Sequence, residues 1–116
     1  RGLGDVYKRQ DSAVSWDFTE AKPGEYEVLA EVSGLENSKA TIEIQAAGAK
    51  DGEKLPASLT ATGHYKIFET KNLGKVHIDS NGEHTLTIRP DAANWKPFNF
   101  RKVTLRLTGL HGTDVR

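Results

Sequence analysis

The stretch best equipped to bind a ligand runs Trp95-Lys96-Pro97-Phe98-Asn99-Phe100-Arg101-Lys102-Val103-Thr104-Leu105. A loop bearing an indole leads through a proline to an amide and then into an alternating strand. Val103, Leu105 and Leu107 point one way, and Lys102, Thr104 and Arg106 the other. An aromatic and an amide at the mouth of a core strand suit a binding site better than a buried turn. Other chemistries lack their residues. His64, His77, His84 and His111 are scattered, with no ligand spacing for zinc. Asp and Glu are common, but none lies in a motif that would position an acid and a base for glycoside hydrolysis. The chain has no G-x-S-x-G nucleophile elbow and no phosphate-binding glycine loop. It has no cysteine, which excludes disulfides and thiol chemistry.

The elements that must position these residues are strands. Val14, Trp16 and Phe18 share one face of a segment from Ser12 to Phe18, and Trp16 at its centre reads as core. Ala21-Lys22-Pro23-Gly24-Glu25 reads as a type II turn, with Gly24 at positive φ, closing a hairpin onto a strand with Tyr26, Val28, Ala30 and Val32 on one face. Ser33 to Ser38 is a polar loop. Ala40, Ile42, Ile44 and Ala46 continue the alternation, and Gly48 to Gly52 turns the chain. Lys54 to Thr60 is a weaker strand whose Pro56 fits a sheet edge. Thr62-Gly63-His64-Tyr65 is a turn and Tyr65 to Thr70 a short strand. Lys75 to Asp79 and Glu83 to Arg89 read as a hairpin around Ser80-Asn81-Gly82, with Gly82 in the left-handed region, Ile78 opposite His84 and Val76 opposite Leu86. Pro90 ends that strand, Asp91 to Pro97 is the Trp95 loop, and Leu110 to Arg116 is a tail. Tyr26, Phe68 and Phe100 read as packing residues. No segment shows helical spacing. About eight short strands with turn signals every ten or so residues predict an all-β antiparallel sandwich.

The first ten residues, Arg1-Gly2-Leu3-Gly4-Asp5-Val6-Tyr7-Lys8-Arg9-Gln10, resemble translated sequencing adaptor. One back-translation reads as the end of a transposon-based library adaptor. We therefore expect a metagenomic fragment of a longer gene, with residues 1–10 an artefact, 11–109 the domain and 110–116 a tail. Any signal peptide would lie upstream. Of the 16 basic and 16 acidic residues, Arg1, Lys8, Arg9 and Asp5 fall in that segment, leaving 13 and 15 and a net charge of −2. That balance offers no footprint for nucleic acid. No apolar run approaches the roughly 18 residues of a membrane span.

The order of segments resembles a known architecture. Trp16-Asp17-Phe18 followed by Lys22-Pro23-Gly24-Glu25-Tyr26-Glu27-Val28 resembles the opening of galactose-binding-like β-sandwich modules. Thr62-Gly63-His64-Tyr65-Lys66-Ile67-Phe68 is similar to their Thr-Gly-x-aromatic-x-x-aromatic turn. Leu73-Gly74-Lys75-Val76, Gly82 to Ile88 and Phe98 to Leu105 are similar to the three segments that close such domains. The resemblance spans residues 13 to 107 and is greatest to family 6-like carbohydrate-binding modules and to the C-terminal ancillary domains of bacterial α-L-fucosidases and sulfatases. It implies a jelly-roll β-sandwich, here lacking its N-terminal strand. The exposed edge so left would pair with a second copy or with the first ten residues.

The resemblance also implies a site and a setting. Family 6 modules stack a sugar between aromatics and hold its hydroxyls with an Asn just before the last strand. Asn99 matches that Asn and Tyr65 the aromatic after Thr-Gly, while Trp95 lies in the corresponding loop. A ring can bury the apolar face of a pyranose while an amide serves its hydroxyls. Each residue has a plainer reading beside this one. Trp95 could anchor its loop on the sandwich rim, Tyr65 could pack on a hairpin, and Asn99 could bond nearby backbone. Arg101 departs from the family's acidic residue. The family's structural calcium is implied by resemblance alone, and no other cofactor is expected. The expected function is a non-catalytic carbohydrate-binding module, covalently linked to the catalytic domain of a secreted glycoside hydrolase or sulfatase, extracellular or periplasmic. The alternative is a structural ancillary domain that packs on its catalytic partner and binds no sugar.

Overall fold

In two four-stranded antiparallel sheets, every strand has one apolar face to hide, and the two sheets hide them against each other. The computed structural model describes residues 2–10, 13–20 and 22–110, with side chains for 13–19 and 22–109. The strands are β1 (Gly2–Gln10), β2 (Val14–Glu20), β3 (Gly24–Ser33), β4 (Ser38–Ala46), β5 (Glu53–Leu59), β6 (Glu69–Ile78), β7 (Gly82–Pro90) and β8 (Phe98–Leu110). One sheet has the order β1-β8-β3-β6 and the other β2-β7-β4-β5. The chain changes sheet at every connection except β4–β5, which is the winding expected of a jelly roll.

That winding overturns both expected hairpins. β2 pairs with β7, placing Trp16 opposite Leu86 and Phe18 opposite His84, and does not pair with β3. β6 pairs with β3, placing Tyr26 opposite Val76 and Gly24 opposite Ile78. β7 pairs with β4 on its other side, placing Ile44 opposite Leu86. Alternation tells which side chains go inward but not which strand lies alongside. Val76, Ile78, Leu86 and Ile88 do share the core, but they meet across the two sheets rather than across a hairpin. Gly82 has φ 113°, the positive value expected, and it turns the chain from one sheet to the other.

Gly24 is not at positive φ. It opens β3 where a Cβ would collide with the carbonyl oxygen of Gly109 on β8. The short strand expected over Tyr65 to Thr70 is also absent. Glu69 instead begins one long strand that continues to Ile78 through a bulge, where Val28 pairs with Gly74 and Leu29 with Asn72. Gly74, at φ 125°, makes that bulge, which turns Leu73 inward along with Val76 and Ile78. Pro56 lies on β5, at the edge of its sheet as expected. Residues 2–10 lie along the free edge of β8 as β1, with two register shifts. The tail after Leu110 lies outside the described residues.

Val28, Val32, Ile42, Val76, Leu86, Phe98, Phe100, Val103 and Leu105 are fully buried. Burial of each such side chain contributes about 1.5–3 kcal/mol. Trp16, Tyr26 and Phe100 are core as expected, and the Tyr26 hydroxyl donates to the Lys22 carbonyl at 2.7 Å. Leu107, expected to share the inward face with Val103 and Leu105, is 37 % exposed. It lies opposite the buried Tyr26, on the inward face as expected, and a bulge follows it at Thr108, with Glu25 opposite Gly109.

Two outcomes follow from this packing. A Cβ at Gly34 would meet the buried Phe98 ring at 2.7 Å. Gly34→Ala should therefore lower stability by about 1–3 kcal/mol, read as a lower urea midpoint at unchanged slope. On the outer face, the Arg106 guanidinium bonds the Glu27 carboxylate, and Asn72 adds a weaker bond. Arg106 first, with a smaller contribution from Asn72, holds the Glu27 carboxyl below its usual range against the opposing effect of desolvation. A carboxyl depressed in the folded state stabilises above its unfolded pKa, and that stability is lost as pH falls through the folded value. The urea midpoints of the wild type and Arg106→Gln should differ at neutral pH and converge as pH falls below the ordinary carboxylate range.

Candidate functional site

Three loops gather at one end of the sandwich, joining β3 to β4 (34–37), β5 to β6 (60–68) and β7 to β8 (91–97). Their backbones are tied together by few groups. Gly34 accepts hydrogen bonds at its carbonyl from the Thr62 and Gly63 amides, at 3.0 and 3.1 Å. Its own amide donates to Thr62 Oγ1 at 3.2 Å. Asn37 Oδ1 accepts from the Ala61 amide at 2.9 Å. Ser38 Oγ accepts from the Lys96 amide at 2.7 Å, and the Lys39 carbonyl accepts from the Asp91 amide at 3.1 Å. The glycine and polar residues that made these segments read as loops are thus the atoms that hold the loops to each other.

Asn99 and Tyr65 are brought together through Ser33. Asn99 is the second residue of β8, opposite Ser33 in register, and only 7 % exposed. Its Nδ2 donates to Ser33 Oγ at 3.3 Å, and that hydroxyl donates to the Tyr65 carbonyl at 2.6 Å. The Asn99 amide thus bonds a side chain across the ladder and pins the loop carrying Tyr65, whose half-buried ring stands at this end. Ser33 is fully buried, and its serine type inside an apolar run was the only sequence signal for this link.

Trp95 sits beside this network rather than inside it. It is half-buried against the core, its ring centroid 6.5 Å from that of Phe98 at an interplanar angle of 52°. Its Nε1 is buried and has no hydrogen-bond partner among the described residues. Arg101 is paired twice, its Nε to Glu31 at 2.9 Å and its guanidinium 4.1 Å from the centre of the half-buried Phe68 ring. Where the sequence resemblance implied an acid, Arg101 is a cation that fastens the 60–68 loop to β8 and β3.

Next to Trp95 opens a cleft of about 490 Å³, between the 91–97 loop, the start of β4 and the end of β5. Asn37, Lys39, Ser58, Thr60, Asn94 and Lys96 line it, and no carboxylate does. Neither Lys39 nor Lys96 is in an ion pair among the described residues, and the Asn94 side chain bonds nothing there. Sequence reading missed these residues. A lone Asn or Lys in a polar loop carries no signal until the fold sets it opposite another.

No grouping of three or more His, Asp or Glu side chains able to hold a metal ion exists among the described residues.

No protein-family model matches the sequence, and no curated protein matches it at a significant level. Solved structures do match in fold. A carbohydrate-binding module of Cellvibrio mixtus lichenase 5A, solved with cellotriose, is 15 % identical at a TM-score of 0.62, over 93 % of this chain and 90 % of that one. A ruminal GH26 endo-β-1,4-mannanase is 16 % identical at a TM-score of 0.64, over 90 % of this chain and 19 % of the enzyme. A Paenibacillus cycloisomaltooligosaccharide glucanotransferase, solved with cycloisomaltoheptaose, is 16 % identical at a TM-score of 0.68, over 79 % of this chain and 13 % of the enzyme. The chain thus spans less than a fifth of the length of those two enzymes but nearly all of the isolated module. Its fold is an all-β sandwich similar to that of the Cellvibrio module.

Proposed function

We propose that this domain is a non-catalytic carbohydrate-binding module whose ligand enters the cleft beside the 91–97 loop. The observation that carries the reading is the set of groups facing that cleft. Two amides, three hydroxyls and two ammonium groups with no ion pair among the described residues surround a space of about 490 Å³. Such groups match the edges of a saccharide, and the absence of a lining carboxylate lets the ammonium groups favour a sugar bearing a carboxylate or sulfate. Trp95 stands in the same loop, between the lining residues Asn94 and Lys96, and its half-buried ring is the aromatic surface next to the cleft. Tyr65 extends the surface on the far side of the Asn99–Ser33 link. The fold supports the reading too, since the same architecture serves as a module in the Cellvibrio lichenase and recurs within the mannanase and the glucanotransferase. Binding would be weak, ~0.01–1 mM per site, because few groups touch the sugar and water competes well.

The parent protein, on this proposal, is a secreted glycoside hydrolase or sulfatase, with α-L-fucosidases among the candidates, working outside the cell or in the periplasm. The domain contributes targeting rather than catalysis. A second reading is favoured by one observation, the packing of Trp95 against Phe98 with its Nε1 buried. In that reading the loop end is a rigid surface that packs on the catalytic domain and holds no sugar.

Titration of intrinsic Trp fluorescence with neutral, fucosylated, uronic-acid and sulfated glycans separates the two. Saturable quenching is expected with one class, strongest for an acidic glycan and weakened by salt. Asn94→Ala, which removes no bond within the domain, should raise Kd about three- to tenfold at unchanged stability. Silence across the panel from folded protein would overturn the glycan reading and leave the packing domain.

A further inference from the structure

The far end of the sandwich holds a buried group that the fold leaves half-used. His84, near the start of β7, is only 5 % exposed and stacks on Phe18, with ring centroids 5.7 Å apart and an interplanar angle of 22°. Its Nδ1 lies 2.9 Å from the carbonyl oxygen of Gly82. A carbonyl can only accept, so Nδ1 carries the proton, and in the neutral ring Nε2 is a bare acceptor. Nε2 has no partner among the described residues, yet it is not sealed from solvent. His84 lines two adjoining cavities, of about 530 and 290 Å³. A buried imidazole with one ring nitrogen tied down and the other aimed at open space is a preoriented acceptor.

Apart from His77, which also lines the larger cavity, the ionisable side chains around it are carboxylates. Asp51, Glu53 and Asp79 line the larger cavity, Asp17 and Glu83 the smaller, and no lysine or arginine lines either. Glu53 is engaged with His77, and Asp17 accepts from the Thr85 hydroxyl at 2.7 Å. The carboxylates of Asp51, Asp79 and Glu83 have no hydrogen-bond or ion-pair partner among the described residues. These carboxylates are not arranged to converge on a metal ion. They are spread around a space of the size that small organic ligands occupy. The matching ligand is itself extended, with a positive group that donates hydrogen bonds and hydroxyls that can reach Ser80 at the rim.

We propose that this basin is a second binding site, for a saccharide bearing a primary ammonium group, with the ammonium donating to His84 Nε2 between Asp51 and Asp79. The site lies at the opposite end from the cleft beside Trp95. It stands whether or not that cleft takes a glycan.

The test is an NMR titration of the His84 ring signals in the whole chain with glucosamine, N-acetylglucosamine, glucose and ammonium chloride. Glucosamine should shift the His84 signals saturably, and the other three should not. Asp51→Asn combined with Asp79→Asn, both exposed positions, should raise the glucosamine Kd about fivefold or more, whereas Asn94→Ala at the loop end should leave it unchanged. The absence of a saturable shift, an equal shift with N-acetylglucosamine or glucose, or an equal shift with ammonium chloride would each overturn the proposal.

Discussion

The pairing of β3 with β8 is the constraint on which both ends of this domain depend. β8 runs from Phe98 to Leu110 and must send Phe98 and Phe100 inward, and then Val103 and Leu105 inward as well. Simple alternation forbids that, since Phe100 and Val103 differ by an odd number of residues. The bulge resolves the conflict. Val32 pairs with Phe100 and Glu31 with Lys102, so one extra residue is absorbed and the parity resets. Arg101 and Lys102 both turn to solvent there. Arg101 is thereby placed to bond Glu31 and to cover Phe68, fastening a loop from the neighbouring strand. Without the bulge, either the two phenylalanines or the two aliphatic residues would face water.

The same ladder sets the loop end. Because Ser33 is opposite Asn99, the last residue of β3 and the second of β8 meet on the face opposite Phe98 and Phe100, both buried, as two polar groups that need each other. A buried amide without a partner would be costly, and Ser33 both relieves it and carries the bond onward to the Tyr65 carbonyl. Phe98, one residue earlier, fills the space that the missing side chain of Gly34 leaves open, and Trp95 packs on Phe98. Backbone positioning at this end thus rests on strand residues, which are stiffer than the loops they orient.

The two ends differ in charge in a way that overall composition conceals, with 16 basic and 16 acidic residues in the whole chain. The cleft beside Trp95 is lined by Lys39 and Lys96 and no acid, and the basin around His84 by acids and no lysine or arginine. The outer face of the β3–β8 pair is instead neutralised in place. Glu27 bonds Arg106 and Glu31 bonds Arg101, while Glu25 faces Lys75 and His77.

The alternation of Val14, Trp16 and Phe18, of Tyr26, Val28, Ala30 and Val32, and of Ala40, Ile42 and Ile44 was enough to identify strands, their inward faces and an all-β sandwich. The period of a strand is local and survives any choice of partner. Pro56 at an edge and Gly82 at positive φ were likewise local facts, set by a missing N–H and a missing Cβ. Pairing was not local. Whether β2 lies beside β3 or across from it depends on which arrangement buries both apolar faces, and a short link serves either. The strand through Leu73 and Gly74 was misread as two because a bulge breaks the period that marks a strand. Tyr65, Trp95 and Asn99 were visible as chemically capable groups. That Asn99 is buried against Ser33, that Trp95 leans on Phe98, and that Asn37, Asn94, Lys39 and Lys96 share a cleft came only from the tertiary structure. Contact between residues dozens of positions apart is a property of the packed sheets, and no spacing along the chain encodes it.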